Sequence, residues 1–78
     1  MSAPDASIKL AQAAGQIAEF FRPYPDEDAV AAIADHINKF WNPRMRAALV
    51  AGFGPDDPAL APRVGKALAH IRVKLPGA

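Results

Sequence analysis

Apolar residues recur along this chain at helical spacing, and no segment alternates as a strand would. Leu10, Ala13, Ala14, Ile17, Phe20 and Phe21 fall at i, i+3, i+4, i+7, i+10 and i+11, an arc of roughly 100° on a 3.6-residue wheel. The spacing predicts a first helix over 8–21. Asp5 or Ser7 is placed to cap it, and residues 1–6 otherwise read as a frayed end. Gly15 inside this helix costs about 1 kcal/mol relative to Ala; it either admits a close backbone approach or has no packing role. Arg22 precedes Pro23, which disfavours helical geometry at Arg22 and ends the helix. Pro23-Tyr24-Pro25 reads as a stiff connector.

Val30, Ile33, Ala34, Ile37, Phe40 and Trp41 repeat the stripe and predict a second helix ending near Trp41. Offset by the distance from Leu10 to Val30, Ala14/Ala34, Ile17/Ile37, Phe20/Phe40 and Pro23/Pro43 coincide, with Phe21 matched by Trp41. A duplicated helix would give this match; two similar Ala-rich helices converging on one stripe is the simpler account. Asp26, Glu27 and Asp28 open the second helix, where carboxylates cap free N–H groups and complement the dipole. A hard-cation site would need a Gly-containing loop of alternating oxygen ligands, which does not follow.

Asn42 is a predicted N-cap with Pro43 at the first helical position. It opens a short third helix over 44–51 with Met45, Ala48 and Leu49 facing inward, and Gly52 as its stop. Breakers crowd 52–58, with Phe53 expected to anchor that loop on the core. The last helix is expected to start at Pro62 rather than Pro58, because a proline several residues into a helix clashes with the preceding turn. Leu60, Val64, Ala67, Leu68, Ile71 and Leu75 form its apolar edge; Arg63, Lys66, Arg72 and Lys74 spread over its polar side. The reading is all-α: a small bundle of three to four short helices with Pro/Gly-rich connections. It makes one domain over 1–78, with 76–78 a second frayed end.

At 78 residues folding buries only about 60–65% of the unfolded surface, so the core is marginal. There is no Cys, which removes disulfides and thiolate ligands and fits a reducing compartment. No leader pattern and no apolar run of about 20 residues is seen, so a soluble cytoplasmic protein is expected. The net charge of +1 hides an asymmetry. Residues 1–38 carry six acids against two bases, and 39–78 seven bases against two acids. Either the two halves attract each other, or a basic face is offered to an acidic partner or nucleic acid.

The only hydroxyl side chains are Ser2, Ser7 and Tyr24, so a Ser–His–acid device lacks a positioned nucleophile. His36 and His70 lie on different predicted helices, and His36 flanks the apolar stripe beside Phe40 as a boundary residue rather than a metal ligand. No phosphate-cradling glycine loop is present. The chain is therefore not read as an enzyme. What remains is the stretch from His36 to Arg46, which mixes aromatic, basic and Met residues around a helix break. Trp, Arg and Met are the residues enriched at interface cores. The predicted partner contacts are His36, Lys39, Trp41, Pro43, Arg44, Met45 and Arg46. Phe40 is assigned to the core stripe, and Trp41 stays open between core and contact. Arg44 and Arg46 point to different sides of the third helix, so that one can meet a partner's carboxylates while the other braces its own chain. The alternative is a small helical nucleic-acid-binding or regulatory domain, with Lys39, Arg44 and Arg46 around Phe40 and Trp41 as a stacking surface. A pI of about 8.2 is low for a dedicated binder.

The run Asp35-His36-Ile37-Asn38-Lys39-Phe40-Trp41-Asn42-Pro43-Arg44-Met45-Arg46 resembles the HI-x-x-FW-[DN]-PRMR signature of the delta subunit of bacterial NAD-dependent formate dehydrogenase. Gln16-Ile17-Ala18-Glu19-Phe20-Phe21 is similar to that family's NQIA-x-FF helix, and Leu60-Ala61-Pro62-Arg63-Val64 to its L-x-P-x-V helix. Gly15 and Asn42 depart from the pattern, which has Asn and more often Asp there; Asn42 keeps the cap and loses a charge. The resemblance implies a non-catalytic accessory subunit that docks on the catalytic alpha subunit of a cytoplasmic molybdenum enzyme and supports its assembly, stability or cofactor loading. That complex oxidises formate to CO2 and reduces NAD+. It implies no cofactor on this chain, while the complex carries molybdopterin guanine dinucleotide, iron–sulfur clusters, FMN and NAD. Alone, such a chain is expected to be capable of self-association.

Overall fold

The prolines set the helix boundaries. The computed structural model describes residues 4–73, with side chains from Ser7 onward. Four helices run α1 Pro4–Phe20, α2 Asp26–Phe40, α3 Pro43–Gly52 and α4 Pro62–Ala67, followed by a single 3-10 turn, Leu68–His70. Of the ends expected to fray, 1–6 and 76–78, residues 4–6 are instead helical, and 1–3 and 76–78 lie outside the described residues, as do Lys74 and Leu75. α1 begins at Pro4 rather than Ile8, since proline is tolerated in a first turn. Asp5 and Ser7 therefore sit within the helix instead of capping it.

α2 is the central element, packing against α4 and α1, and α1 also packs on α3. Ile33, Ile37, Leu49 and Val64 are the largest fully buried side chains, enclosed with Trp41, Leu60, Leu68 and Ile71. α1 is rotated from its predicted facing. Ala11, Ala14 and Ala18 form its buried row, while Leu10, Ala13, Ile17 and Phe21 line the edge of the core. Methyl side chains at i, i+3 and i+7 let the neighbouring helices come close, and the larger side chains of α2–α4 fill the space.

The two aromatic pairs correct the predicted stripe in the same way. Phe20 is 75% exposed and Phe40 72% exposed, whereas Phe21 packs on the core and Trp41 lies within it. Successive helical residues point about 100° apart, so only one of each pair can face inward. At Trp41 the backbone has left the helix (φ −92°, ψ 142°), and that extended geometry carries the indole into the core.

The start of α2 is a further correction. Pro25 occupies the cap position without a side-chain hydrogen bond, leaving Asp26, Glu27 and Asp28 in the first turn to act on the dipole alone. α3 follows the prediction: Asn42 Oδ1 accepts the Met45 N–H at 2.8 Å, with Pro43 next in line. Gly52 is the last helical residue rather than a residue beyond the end. Phe53 packs against the core as the loop's anchor. α4 starts at Pro62 as expected but is short, and by Ile71 the chain is extended (φ −83°, ψ 129°). Asn38 explains that break: its Nδ2 donates to the His70 carbonyl at 3.1 Å and its Oδ1 accepts the Arg72 N–H at 2.8 Å.

Candidate docking surface

A helix leaves its last carbonyls without partners inside itself. For α2 they are met from across the corner. Arg46 Nη1 donates to the carbonyls of Asn38 at 2.8 Å and Trp41 at 3.1 Å, a cation placed where the dipole favours one. Of the two arginines left open by the sequence, Arg46 is thus the one that braces its own chain, through backbone carbonyls rather than carboxylates. Its guanidinium is half-buried and engaged through Nη1, while Nε is buried without a hydrogen-bond partner. Together with the Asn42 cap and Pro43, it sets the angle between α2 and α3.

What that angle presents differs from the predicted contact set. Trp41 is a core residue and is not offered at the surface. Pro43 and Arg44 are exposed and Met45 is half-buried. Lys39 is exposed and paired with Asp35 at 3.2 Å, one turn back on the same helix. Among the described residues Arg44 makes no ion pair, whereas Arg22, Lys39, Arg63 and Lys66 each do. His36 is half-buried, its ring 4.7 Å from that of Phe40 and tilted by 42°.

Two open grooves follow the edge of α1 on which Leu10, Ala13 and Ile17 share a face. One, of about 280 Å³, lies between α1 and α2 and is lined by Ala13, Gln16, Ile17, Phe20, Phe21 and His36. The other, of about 260 Å³, lies between α1 and α3 and is lined by Leu10, Asn42, Arg44, Met45 and Ala48. His36 and Met45 therefore belong to adjoining stretches of one α1 edge. Phe20 and Phe40, the most exposed large apolar residues among those described, are the surface residues that sequence reasoning missed. The signal was present in the Phe20-Phe21 and Phe40-Trp41 pairs, where one ring has to face outward.

A second arginine braces the connector that follows α1. Arg63 Nη1 donates to the carbonyls of Phe21 at 3.2 Å and Arg22 at 3.3 Å, and Nη2 donates to that of Tyr24 at 3.0 Å. Its Nε reaches Asp26 Oδ1 at 3.1 Å, and Lys66 Nζ reaches Oδ2 at 2.8 Å. The hydrogen bonds from Lys66 and then Arg63 hold the Asp26 carboxyl below its ordinary value. These groups pin the Pro23–Pro25 connector onto α4, so much of the basic excess of the second half is used inside the molecule. On that side a groove of about 480 Å³ between α2 and α4, floored by Val30, Ala31 and Ala34, gathers Asp26, Glu27 and Asp35 with Lys66 and His70. Among the described residues no group of three or more His or carboxylate side chains comes together as a cation site.

The sequence model of the NADH-dependent formate dehydrogenase delta subunit family, FdsD, matches residues 9–68. That span runs from the first turns of α1 to the end of α4 and includes both grooves. No curated protein and no solved structure matches the chain.

Proposed function

Because the chain belongs to the NADH-dependent formate dehydrogenase delta subunit family, we propose that it is a non-catalytic subunit that docks on the catalytic alpha subunit of a molybdenum-containing, cytoplasmic formate dehydrogenase. There it supports assembly, stability or cofactor loading. The observation that carries this reading is the exposure of interface-type side chains around one corner: Arg44 without an ion pair, Met45 half-buried, and Phe40 standing out from the fold. Arg, Met and aromatic residues are those that dominate interface energetics.

Formate oxidation and NAD+ reduction are assigned to other subunits. The donor chemistry of this chain fits none of the complex's groups. Iron–sulfur clusters take thiolates, and the sequence has no Cys. A flavin or pterin needs an enclosed pocket with convergent polar groups, and the grooves here are shallow and open. Ser7 lies inside α1 beside Gly52, and Tyr24 rests edge-on against Phe21. Molybdopterin guanine dinucleotide, the clusters, FMN and NAD thus belong to the partners.

The nucleic-acid alternative draws less support. Arg46, Arg63 and Lys66 are engaged within the chain, which takes three basic residues of the second half away from a phosphate-tracking surface. The membrane is not called on either: among the described residues no helix is long and apolar enough to cross one.

The test is purification of the complex through a tag on the catalytic subunit. The chain is expected to co-purify in stoichiometric amount, and its deletion to lower the yield of active, cofactor-replete enzyme. Absence of the chain from a complex isolated intact, with full activity in the deletion strain, would overturn the reading.

A further inference from the structure

We infer that the edge of α1, with the ends of α2 and α3 beside it, receives one helix of the partner subunit, bearing an apolar stripe and a carboxylate where it passes Arg44. This rests on the docking reading and names the surface and what fits it.

Phe20 and Phe40 each touch one neighbouring ring, Phe21 and His36, and otherwise stand in solvent. The inward positions are taken by Phe21 and Trp41, and the two phenylalanines occupy matching places on two successive helices. From Phe20 the α1 edge continues as Ile17, Ala13 and Leu10 to Met45 and Ala48, and Phe40 adjoins it through His36, whose ring it touches and which lines the first groove. From Leu10 to Phe20 this edge runs about 15 Å, at 1.5 Å per residue, enough for about three turns of an occupant. A contiguous apolar strip of this kind marks an interaction site.

The main chain decides the form of the occupant. The two grooves are lined by helices and by Phe21 and Asn42 at helix ends, and no strand edge is on offer among the described residues. A segment entering an apolar groove must then satisfy its own backbone, which a helix does and an extended peptide does not.

Charge decides the partner. Neither groove lining contains a carboxylate; Arg44 and His36 are its only ionisable members. The acids are gathered elsewhere, Asp26, Glu27 and Asp35 along the α2–α4 groove. A second copy of this face would set Arg44 opposite an acid-free surface, since a two-fold contact pairs the same patch with itself. The fit is to a different chain that supplies the carboxylate.

The test uses the intact complex with a tagged catalytic subunit. A photo-crosslinking phenylalanine analogue at position 20 or 40 is expected to capture a helical peptide of the partner with Asp or Glu within two turns. The exposed sites allow F20K and F40K to fold normally, checked by circular dichroism and Tm. The double variant is expected to lose retention by at least about tenfold, the scale of removing hot-spot contacts. Arg44→Glu is expected to weaken retention, with recovery when the captured acid is changed to Lys. Full retention of a folded F20K/F40K variant, or capture of a basic segment or of a second copy of this chain, would overturn the inference and leave the docking reading standing. Failure of the unaltered chain to co-purify would remove both.

Discussion

Gly65 lies against Pro55 so closely that a β-carbon placed on it would overlap the Pro55 carbonyl oxygen. α4 can therefore approach the loop after α3 only because this position has no side chain. The opposing atom is backbone and cannot swing away. Gly65→Ala is expected to destabilise by about 1–3 kcal/mol as an overpacking substitution, even after the gain in helix propensity. Gly15 sits in α1 with nothing within 4 Å of such a β-carbon, so Gly15→Ala should stabilise by about 0.5–1 kcal/mol. In a domain of this size 1 kcal/mol moves Tm by about 4–8 °C. Thermal melts of the two variants should shift in opposite directions; a shift of the same sign would contradict the close approach of α4.

Arg44 and Arg46, two residues apart, should separate cleanly in stability. Arg46 donates to two carbonyls at the end of α2, and hydrogen bonds from a charged group contribute about 1.5–3 kcal/mol. Arg46→Ala is expected to lose on that order and Arg46→Lys to recover only part, since both bonds leave one nitrogen, Nη1, and the lysine stem carries its ammonium one atom less far. Arg44→Ala is expected to stay within about 0.5 kcal/mol. Urea denaturation reads both, with unchanged slope and a lower midpoint for Arg46→Ala alone. Equal midpoints would remove the bracing role.

The parts of this fold that were legible in the sequence are those set by local chemistry. Asn42-Pro43 announces a cap and first turn, and Pro62 a helix start, because both act on backbone within a few residues. The apolar period of α2 placed Val30, Ile33, Ala34 and Ile37 correctly, and the membership of the family was carried by the stretch around Phe40–Arg46. The facing of α1 was not legible, since its Ala row and its Leu10–Ile17 edge are both apolar. Only the presence of close neighbours selects the smaller side chains for the inside. Trp41 was undecided because its direction depends on the chain leaving the helix at that residue. Arg46, Arg63, Asn38 and Gly65 act on backbone atoms brought near by folding, from five residues away for Arg46 and Trp41 to 42 for Arg63 and Phe21. No spacing rule reports such contacts. Of the proposed docking surface, Arg44 and Met45 were named from the sequence, while Phe20 and Phe40 were assigned inward and are the most exposed large apolar residues among those described.

Asp26 should give the fold a measurable acid limb. Its carboxylate accepts from Lys66 and Arg63, which lowers its pKa in the folded chain from the ordinary 3.8. A depressed folded pKa means that the unfolded chain takes up the proton first. The stabilisation is thus complete above the unfolded value and is lost as pH falls below it through the folded value. Because the group is exposed, the effect is modest and screened by salt. Asp26→Asn is expected to lower Tm at neutral pH, and the gap to the unaltered chain should narrow as pH drops below about 4, the ordinary carboxylate range. A gap independent of pH would show that the ion pairs do not contribute.

The aromatic pairs offer the sharpest check on which residues build the molecule and which it presents. Trp41 is in the core, only 8% exposed, and removing a buried Trp costs about 3–5 kcal/mol. For a small domain with a marginal core that is most of its stability, so Trp41→Ala is expected to unfold it, and Trp41→Phe to leave a weakened fold. Phe40, its neighbour, makes one ring contact with His36 and is otherwise in water. Phe40→Ser should change stability by no more than about 0.5 kcal/mol, despite deleting an equally apolar ring. The same contrast is expected between Phe21→Ser and Phe20→Ser. Because Trp41 is the only Trp, its fluorescence reports the outcome directly: a blue-shifted emission retained in Phe20→Ser and Phe40→Ser, and red-shifted in Phe21→Ser as the core opens. A red shift in Phe40→Ser would mean that this ring shields the indole and that Phe40 belongs to the core after all.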